Sequence, residues 1–155
     1  MTAPTTRNPA TPIQRAIVAI LRADGTLAAL LAPAKGVTPP APAVVDEPAE
    51  GQPKPYIRVG DHLSIPDHDH TSKGREVTET IHVWTQQRSN AQGQTIADRV
   101  TALLDHKVTE FSAALAADGH RCVSIRQEFD QALKDPDPQI RHHVLRFRIQ
   151  TVQVS

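Results

Sequence analysis

Apolar residues recur at helical spacing near the start of the chain and predict the first helix. The positions on its common face are Ile13, Ile17, Ile20 and Leu21. Thr11 and Gln14 form a Thr-x-x-Gln capping box around Pro12, which suits the first helical position. Asp24-Gly25 is expected to end this helix, and a second helical turn is expected over 26–31. Residues 1–11 lack such a pattern and are predicted to be a flexible arm preceding a single domain, 12–155.

A proline-rich crossing follows, because residues 33–66 hold eight of the 13 prolines. Val44-Val45 is long enough only for a short strand. Tyr56–Leu63 alternates like a half-buried strand, and Thr78–Thr85 does the same, with Trp84 on its outward face. The polar segment Ser64–Arg75 reads as a long loop joining these two strands into an antiparallel hairpin. Their inward positions are predicted to be Ile57, Val59, Leu63, Val77, Ile81 and Val83.

The second half of the chain predicts another helix and two strands. Ser89 and Gln92 form a capping box before a buried helical stripe of Ile96, Val100, Leu103 and Leu104. Helical tendency resumes over 111–117 and ends at Gly119. Val123, Ile125 and Phe129 alternate on one strand, and Leu145, Phe147 and Ile149 alternate on the other. Between them, 135–138 (Asp-Pro-Asp-Pro) is a turn signal. The apolar parity then changes to Val152 and Val154, which suggests a bulge or a departing tail.

This order of elements predicts an α+β fold: a four-stranded, mainly antiparallel sheet with helices packed on one face. The expected core contains Ile17, Leu21, Ile81, Val83, Val100, Leu104, Ile125, Phe147 and Ile149. Composition changes the picture little. Seventeen basic residues balance seventeen acidic ones, so nucleic-acid or membrane binding would need a local patch. A single cysteine excludes an internal disulfide, and the expected compartment is a reducing cytoplasm. No apolar run is long enough to span a membrane, and no signal peptide is expected.

The densest cluster of candidate ligands is Asp67, His68, Asp69 and His70. Imidazole and carboxylate groups bind zinc-like ions, and His68 and His70 would share a strand face. Two ligands do not make a site, and only His62 or His82 could be a third through the fold. A polar loop tip is therefore the favoured interpretation, and a small metal-dependent enzyme stays the alternative. No catalytic, cofactor-binding or metal-binding residue is predicted, because no nucleophile elbow or phosphate-binding glycine loop occurs.

Arg146 and Arg148 lie on the outward face of the last strand, beside Arg141, His142 and His143. A basic stripe can bind nucleic acid, but the zero net charge and few aromatic residues favour contact with protein. Acidic residues of a neighbouring subunit are the expected partners of the two arginines: Asp46, Glu47, Glu50, Asp61 and Glu79.

Taken in order, the segments resemble a known family. A helix of the type IQRAIVAILRADGTLAALL precedes a proline-rich crossing, PYIRVG, a long loop and a strand ending in tryptophan, TETIHVWTQ. NAQGQTIADRVTALLD and a strand pair ending HHVLRFRIQT follow. Over roughly 12–152 this pattern resembles the tail completion, or tail terminator, proteins of long-tailed bacteriophages and gene-transfer particles. The long stretch 37–54 and the loop at 64–75 depart from the family pattern.

The resemblance implies a structural protein of the virion tail or neck, assembled in the host cytoplasm, and no catalysis. It implies a homohexameric ring that caps the tail tube protein, stops tube polymerisation and docks the head-side connector or stopper protein. DNA would pass through the channel without specific binding, and no membrane is involved. Asp67–His70, Arg146 and Arg148 would then belong to the assembly interface. Another ring protein of the neck, a connector or stopper, is the alternative.

Overall fold

The computed structural model describes residues 7–154. Four α-helices are present in this part of the chain: α1 (Ala10–Arg22), α2 (Gly25–Leu30), α3 (Ala91–Leu104) and α4 (Val108–Leu115), with a 3₁₀ turn at Ala116–Asp118. The strands are β1 (Val44–Val45), β2 (Tyr56–Pro66), β3 (Gly74–Thr85), β4 (His120–Lys134) and β5 (Arg141–Gln153). The predicted arm, 1–11, lies partly outside the described residues. Within it Arg7 donates to the carbonyls of Gly119 and Val154, and α1 includes residues 10 and 11.

The sheet has five strands in the order β1-β2-β3-β5-β4. Every neighbouring pair is antiparallel except β1 and β2, which are parallel. The α+β class is confirmed, whereas the four-stranded sheet is wrong by one strand. The error arises because β1 has only two residues, Val44 paired with Ile57 and Val45 paired with Arg58. A strand of that length shows no periodicity, so the sequence offers Val44-Val45 only as a possible short strand, and its pairing with β2 is what adds it to the sheet.

Helices cover one face of the sheet and form a single core with it. All nine residues predicted to be in the core are buried, none of them more than 1% exposed. They pack with Phe111 and Leu115 of α4 and with Ile13 of α1. Buried and part-exposed residues alternate along β3 from Val77 to Thr85 and along β5 from His143 to Thr151, as strand geometry requires. The opposite face of the sheet carries no helix of the described chain.

Neither predicted capping box forms. Helix α1 begins at Ala10, and its N-cap Pro9 supplies no side-chain bond. Gln14 instead donates to the Val59 carbonyl. Helix α3 has Asn90 at its N-cap without a side-chain bond, and Ser89 accepts only from the Ala91 amide. Tertiary contacts therefore override the local capping pattern at both helices.

Strand irregularities correct the predicted faces of β2 and β4. A bulge between Val59 and His62 shifts the register, so Leu63 is 59% exposed rather than inward. Bulges at Cys122/Ser124 and Gln127/Phe129 similarly leave Val123 and Phe129 exposed. An inserted residue reverses the alternation after it, which is why counting every second residue fails there.

Two further expectations about the strand ends are wrong. Strands β2 and β3 extend to Pro66 and Gly74, so the loop covers only 67–73 rather than 64–75. The predicted parity change in the last strand is absent, because buried Thr151 continues the inward row of β5. The turn at 135–138 is confirmed, since the Asp135 carboxylate accepts from the Asp137 amide at 3.1 Å. No helix among residues 7–154 is long and apolar enough to cross a membrane.

Candidate assembly surface

The β2–β3 hairpin ends in a compact polar tip. The Asp69 carboxylate accepts from the amides of Thr71 at 2.8 Å and Ser72 at 2.6 Å, and these bonds lower its pKa. His68 Nδ1 accepts from the Gly74 amide at 3.1 Å. Gly74 also fits only without a side chain, because a Cβ there would lie 2.3 Å from the Asp67 carbonyl oxygen. The tip is therefore a defined turn presenting exposed groups to solvent.

The predicted tip residues do not assemble into a metal centre. Within residues 7–154, no group of three or more His, Cys, Asp and Glu side chains is arranged to hold a metal ion. His62 pairs with Glu79 and His82 with Arg58 across the hairpin, away from the tip. The third ligands considered from the sequence are therefore engaged elsewhere.

Arg146 and Arg148 lie on the uncovered face of the sheet, as strand parity predicts, and both pair with carboxylates of their own chain. Glu128 lies between them, with Oε2 2.9 Å from Arg146 Nε and Oε1 against Arg148 Nη2. Glu76 Oε1 lies 3.3 Å from Arg148 Nε. The Arg146 guanidinium also stacks over the Phe129 ring, 4.6 Å from its centroid. The charges of Arg146 and Arg148 are thus balanced by carboxylates of the same chain.

Sequence reasoning missed both carboxylates. Glu76 occupies the same outward row as Thr78 and Thr80 and could have been found by parity. Glu128 reaches this face through the bulge between Gln127 and Phe129, which the sequence did not signal. The structure also separates the two predicted parts of the surface: Arg148 pairs with Thr78, while the tip begins beyond Gly74.

A chain of polar and aromatic side chains on the same face was also missed. Asp61, in the β2 bulge with φ of 63°, accepts from His82 Nε2 at 3.0 Å. His82 Nδ1 lies 2.8 Å from His142 Nε2. Because His82 Nε2–H donates to the Asp61 carboxylate, His82 Nδ1 is the acceptor of the second bond and His142 Nε2–H is its donor. Trp84 stacks on His142 at 3.9 Å. Burial, with the nearby His82, lowers the pKa of His142 to about 4. These contacts connect the β2 bulge at Asp61 to β3 and β5.

Cys122 and Glu79 are buried titratable groups outside this surface. Burial raises the pKa of the Cys122 thiol to about 11, so the thiol is protonated at neutral pH and a poor nucleophile. Glu79 points into the core between Val77 and Ile81, fully buried. Neither of its carboxylate oxygens has a hydrogen-bond partner among the described residues. Burial is the main cause that raises its pKa to about 7.

Comparison with known proteins identifies the family. The family model for tail completion protein gp17 matches residues 15–151, nearly the whole chain. The chain belongs to the tail completion protein family. A curated relative, tail completion protein gp17 of Bacillus phage SPP1, is 29% identical over 105 residues, covering 68% of this chain and 73% of that protein.

A solved structure supports the fold of this tail completion protein. A chain in the virion of a native gene transfer agent particle superimposes with a TM-score of 0.74 at 23% identity. The match covers 95% of this chain and 99% of that chain. Members of the tail completion family are structural components of phage tails and not enzymes. The expected family and the expected structural, non-enzymatic role are confirmed.

Proposed function

We propose that six copies of this tail completion protein form a ring that caps the tail tube, stops its polymerisation and joins it to the head-side connector or stopper. The observation that carries the proposal is the family match over 15–151. Assembly would take place in the host cytoplasm, and the ring would remain in the neck of the virion. DNA would pass through the centre without specific binding.

The shape of the subunit supports a ring. An open five-stranded sheet has edge strands with unpaired backbone N–H and C=O groups. Assembly into a closed ring is a common way for neighbouring subunits to supply the missing hydrogen bonds. One face of the sheet also carries no helix among residues 7–154, and Arg146 and Arg148 lie on it with their charges balanced. Such a face suits a neighbouring protein surface or a channel wall better than a phosphate-binding site.

The hairpin tip is proposed to contact a neighbouring subunit or ring. Asp67, His68, Asp69 and His70 extend beyond the paired strands and contribute nothing to the core. The bond from the Asp67 amide to the Gly74 carbonyl closes the tip. Replacing 68–73 by a two-residue turn is therefore expected to leave the domain folded while impairing tube capping.

Electron microscopy of the purified protein mixed with tail tubes tests the function. The expected result is a sixfold ring at one end of each tube and an arrest of tube elongation. The tip-shortened variant is the matched comparison, because its thermal unfolding reports whether the domain survives. Absence of any ring at tube ends, or a ring of another order, would overturn the proposal. A twelvefold ring, for instance, would favour a different neck component.

A further inference from the structure

The two outer strands of the sheet leave complementary segments unpaired. The first part of β4 has its outer backbone edge covered by α4 and by the connection between α3 and α4. The Ser112 hydroxyl accepts from the amide of Cys122 and donates to its carbonyl. Further along, the His106 amide donates to the Ile125 carbonyl, and the Asp105 carboxylate accepts from the Gln127 amide. Among the described residues, nothing bonds the outer backbone edge of 129–134. On the other side, β1 covers β2 only at Ile57 and Arg58. No described residue bonds the outer backbone edge of 61–66, where the only hydrogen bond to the described N-terminal residues is between the Ser64 hydroxyl and Asn8 Oδ1 at 3.1 Å.

The exposed apolar side chains concentrate on these same segments. Of the seven large hydrophobic residues exposed in the described chain, Leu63 and Ile65 lie on the β2 segment, and Phe129 and Leu133 lie on the β4 segment. All four project from the face that carries Arg146, because they pair with outward positions of β3 and β5. Exposed apolar groups at both open edges of one face indicate that the two edges become covered.

We propose that the open segment of β4, 129–134, pairs with the open segment of β2, 61–66, of the next copy. The occupant of each edge is thus a second copy of this chain, and the sheet continues around the ring. The inference rests on the proposed ring and adds its interface. Strand direction agrees: β2 and β5 run the same way and β4 runs opposite, so β4 meets the next β2 antiparallel.

The positions of the segments also satisfy ring closure. Residues that are opposite each other across the seam must project from the same face, so Leu63 is opposite either Gln131 or Leu133. Leu63 pairs with Thr78, whereas Gln131 and Leu133 align through Val144 and His142 with His82 and Trp84. The offset on β3 is therefore four or six residues, about 13 or 20 Å along the strand direction. Moving from one β2 to the next crosses four strand spacings, about 19 Å. The ratio requires strands inclined by about 35° or 46° to the ring axis, close to the roughly 35–45° typical of closed barrels.

The resulting ring is open at its centre. Each copy advances the wall by about 25 Å, so six copies enclose a barrel about 50 Å across between backbones. About 24 strands would form it, and barrels of 16–18 strands already leave an aqueous channel. The proposed pairing also avoids the segments that are already covered. Strand β4 ends before the 135–139 turn, and this turn would lie beside the part of the neighbour's β2 that pairs with the neighbour's own β1.

Cysteine cross-linking of the full-length chain tests the pairing. Leu63→Cys/Leu133→Cys and Ile65→Cys/Phe129→Cys each place two thiols on the proposed seam. Within one chain the two strands are three spacings apart, at least about 14 Å, which exceeds the roughly 7 Å Cα separation a disulfide allows. Any disulfide between them must therefore join two copies. Leu63→Cys/Val123→Cys is the control. The Val123 side chain is exposed, but it lies on the part of β4 whose outer backbone edge α4 already covers.

The rings are oxidised either free or, where they form only on tail tubes, bound to tubes. At least one of the two seam pairs should then give a ladder of covalent oligomers that reaches the hexamer. The control should give at least tenfold less product. Sixfold rings without cross-linking in either seam pair, or with equal cross-linking in the control, would overturn this interface while leaving the proposed function intact. Absence of rings altogether, for the wild-type protein with tubes, would overturn both.

A charge on the seam provides a second measurement. Leu133→Glu should lower the fraction of ring at a given protein concentration at least tenfold, whereas Val123→Glu should not. Both side chains are exposed in the isolated chain, so both variants should unfold at wild-type temperatures. Equal ring fractions for Leu133→Glu and wild type would contradict the pairing.

Discussion

The imidazole of His143 lies directly against the backbone of Gly93 in helix α3. A Cβ built on Gly93 would lie 2.3 Å from His143 Nδ1, closer than real side chains approach. His143 projects from the covered face of β5 and is only 1% exposed. A glycine within a helix is normally unfavourable, and here it is explained by the space that the His143 imidazole needs against the helix backbone.

Gly93→Ala is expected to destabilise the domain by about 1–3 kcal/mol, because α3 must move away from the sheet to accommodate the methyl group. Chemical denaturation at neutral pH measures the change. Gly25→Ala is the matched control, since a Cβ there meets nothing within 4 Å and helix propensity should make that variant neutral or slightly more stable. In the double variant Gly93→Ala/His143→Ala, the alanine at 93 should cost much less than it does alone. Equal costs would show that the contact is not the cause.

Asp24 joins two helices through its carboxylate. Oδ2 accepts from the Leu27 amide at 2.9 Å and caps α2, while both oxygens meet the Arg99 guanidinium of α3 at 2.9 and 2.6 Å. The hydrogen bond from Arg99 is the main cause that lowers the Asp24 pKa. A lowered pKa means that this stabilisation is present above the unfolded pKa and is lost as pH falls through the folded one.

We expect Asp24→Ala to cost about 2 kcal/mol at neutral pH through loss of both cap and ion pair. Asp24→Asn should cost about half as much, because an amide oxygen still accepts from the Leu27 amide, and the 37% exposure of the Arg99 side chain lets solvent screen the lost charge. Urea unfolding checks the order of the three proteins. If Asn and Ala were equally damaging, the helix cap would contribute nothing.

Sequence periodicity predicts this fold best where strands are regular. Along β5, Leu145, Phe147 and Ile149 face the core as counted, because no bulge interrupts the alternation. On β2 and β4 the same counting misplaces Leu63 and Phe129, since each follows an inserted residue. Bulges depend on how a strand meets its partners, and those partners are distant in sequence.

The candidate surface was predictable in part for the same reason. The outward direction of Arg146 and Arg148 follows from parity alone. The position of their carboxylate partner Glu128 depends on the bulge in β4. The contact between Asp61 and His82 depends on the bulge in β2, where Asp61 adopts a left-handed conformation. The resemblance supplied the family, whereas the open edges of the sheet became visible only when its strand order was known.

Glu79 makes the stability of the domain depend on pH. Its carboxyl group is buried among apolar residues, with His62 Nδ1, 4.0 Å from Oε2, as the nearest basic group and Asp61 opposing its ionisation. Burial is the larger cause that raises the pKa from 4.5 to about 7. The native state therefore binds more protons than the unfolded state between these values, and stability falls as pH rises through that window.

Glu79→Gln should remove this loss. At pH 8 we expect the variant to be more stable than wild type by up to about 3 kcal/mol, and near pH 4 the two should be similar. Thermal unfolding across this range provides the comparison. Glu76→Gln is the control, because Glu76 is part-exposed and paired with Arg148, and its variant should show no such gain at high pH. A wild-type stability that rises between pH 5 and 8 relative to Glu79→Gln would refute the assignment.

The balanced charges around Arg146 and Arg148 predict how the protein treats DNA. Phosphate binding requires cations whose charge is available, and here Glu128 and Glu76 neutralise both arginines within the same chain. The wild-type protein should therefore retain negligible duplex DNA at about 0.15 M salt, the condition under which a genome would slide through the ring.

Removing the two carboxylates should reveal a latent basic surface. Glu76→Gln/Glu128→Gln is expected to bind a labelled duplex at low salt, with an affinity that falls steeply as salt rises, as fluorescence anisotropy can measure. Glu47→Gln/Glu50→Gln changes the net charge equally at exposed positions away from the arginines and should bind much more weakly. Duplex binding by the wild-type protein at physiological salt, lost on Arg146→Glu with assembly intact, would instead make this stripe a nucleic-acid surface. In the proposed ring, six copies would bring twelve such arginines together, so even weak unmasked contacts would impede DNA movement, and the carboxylates would serve to prevent this.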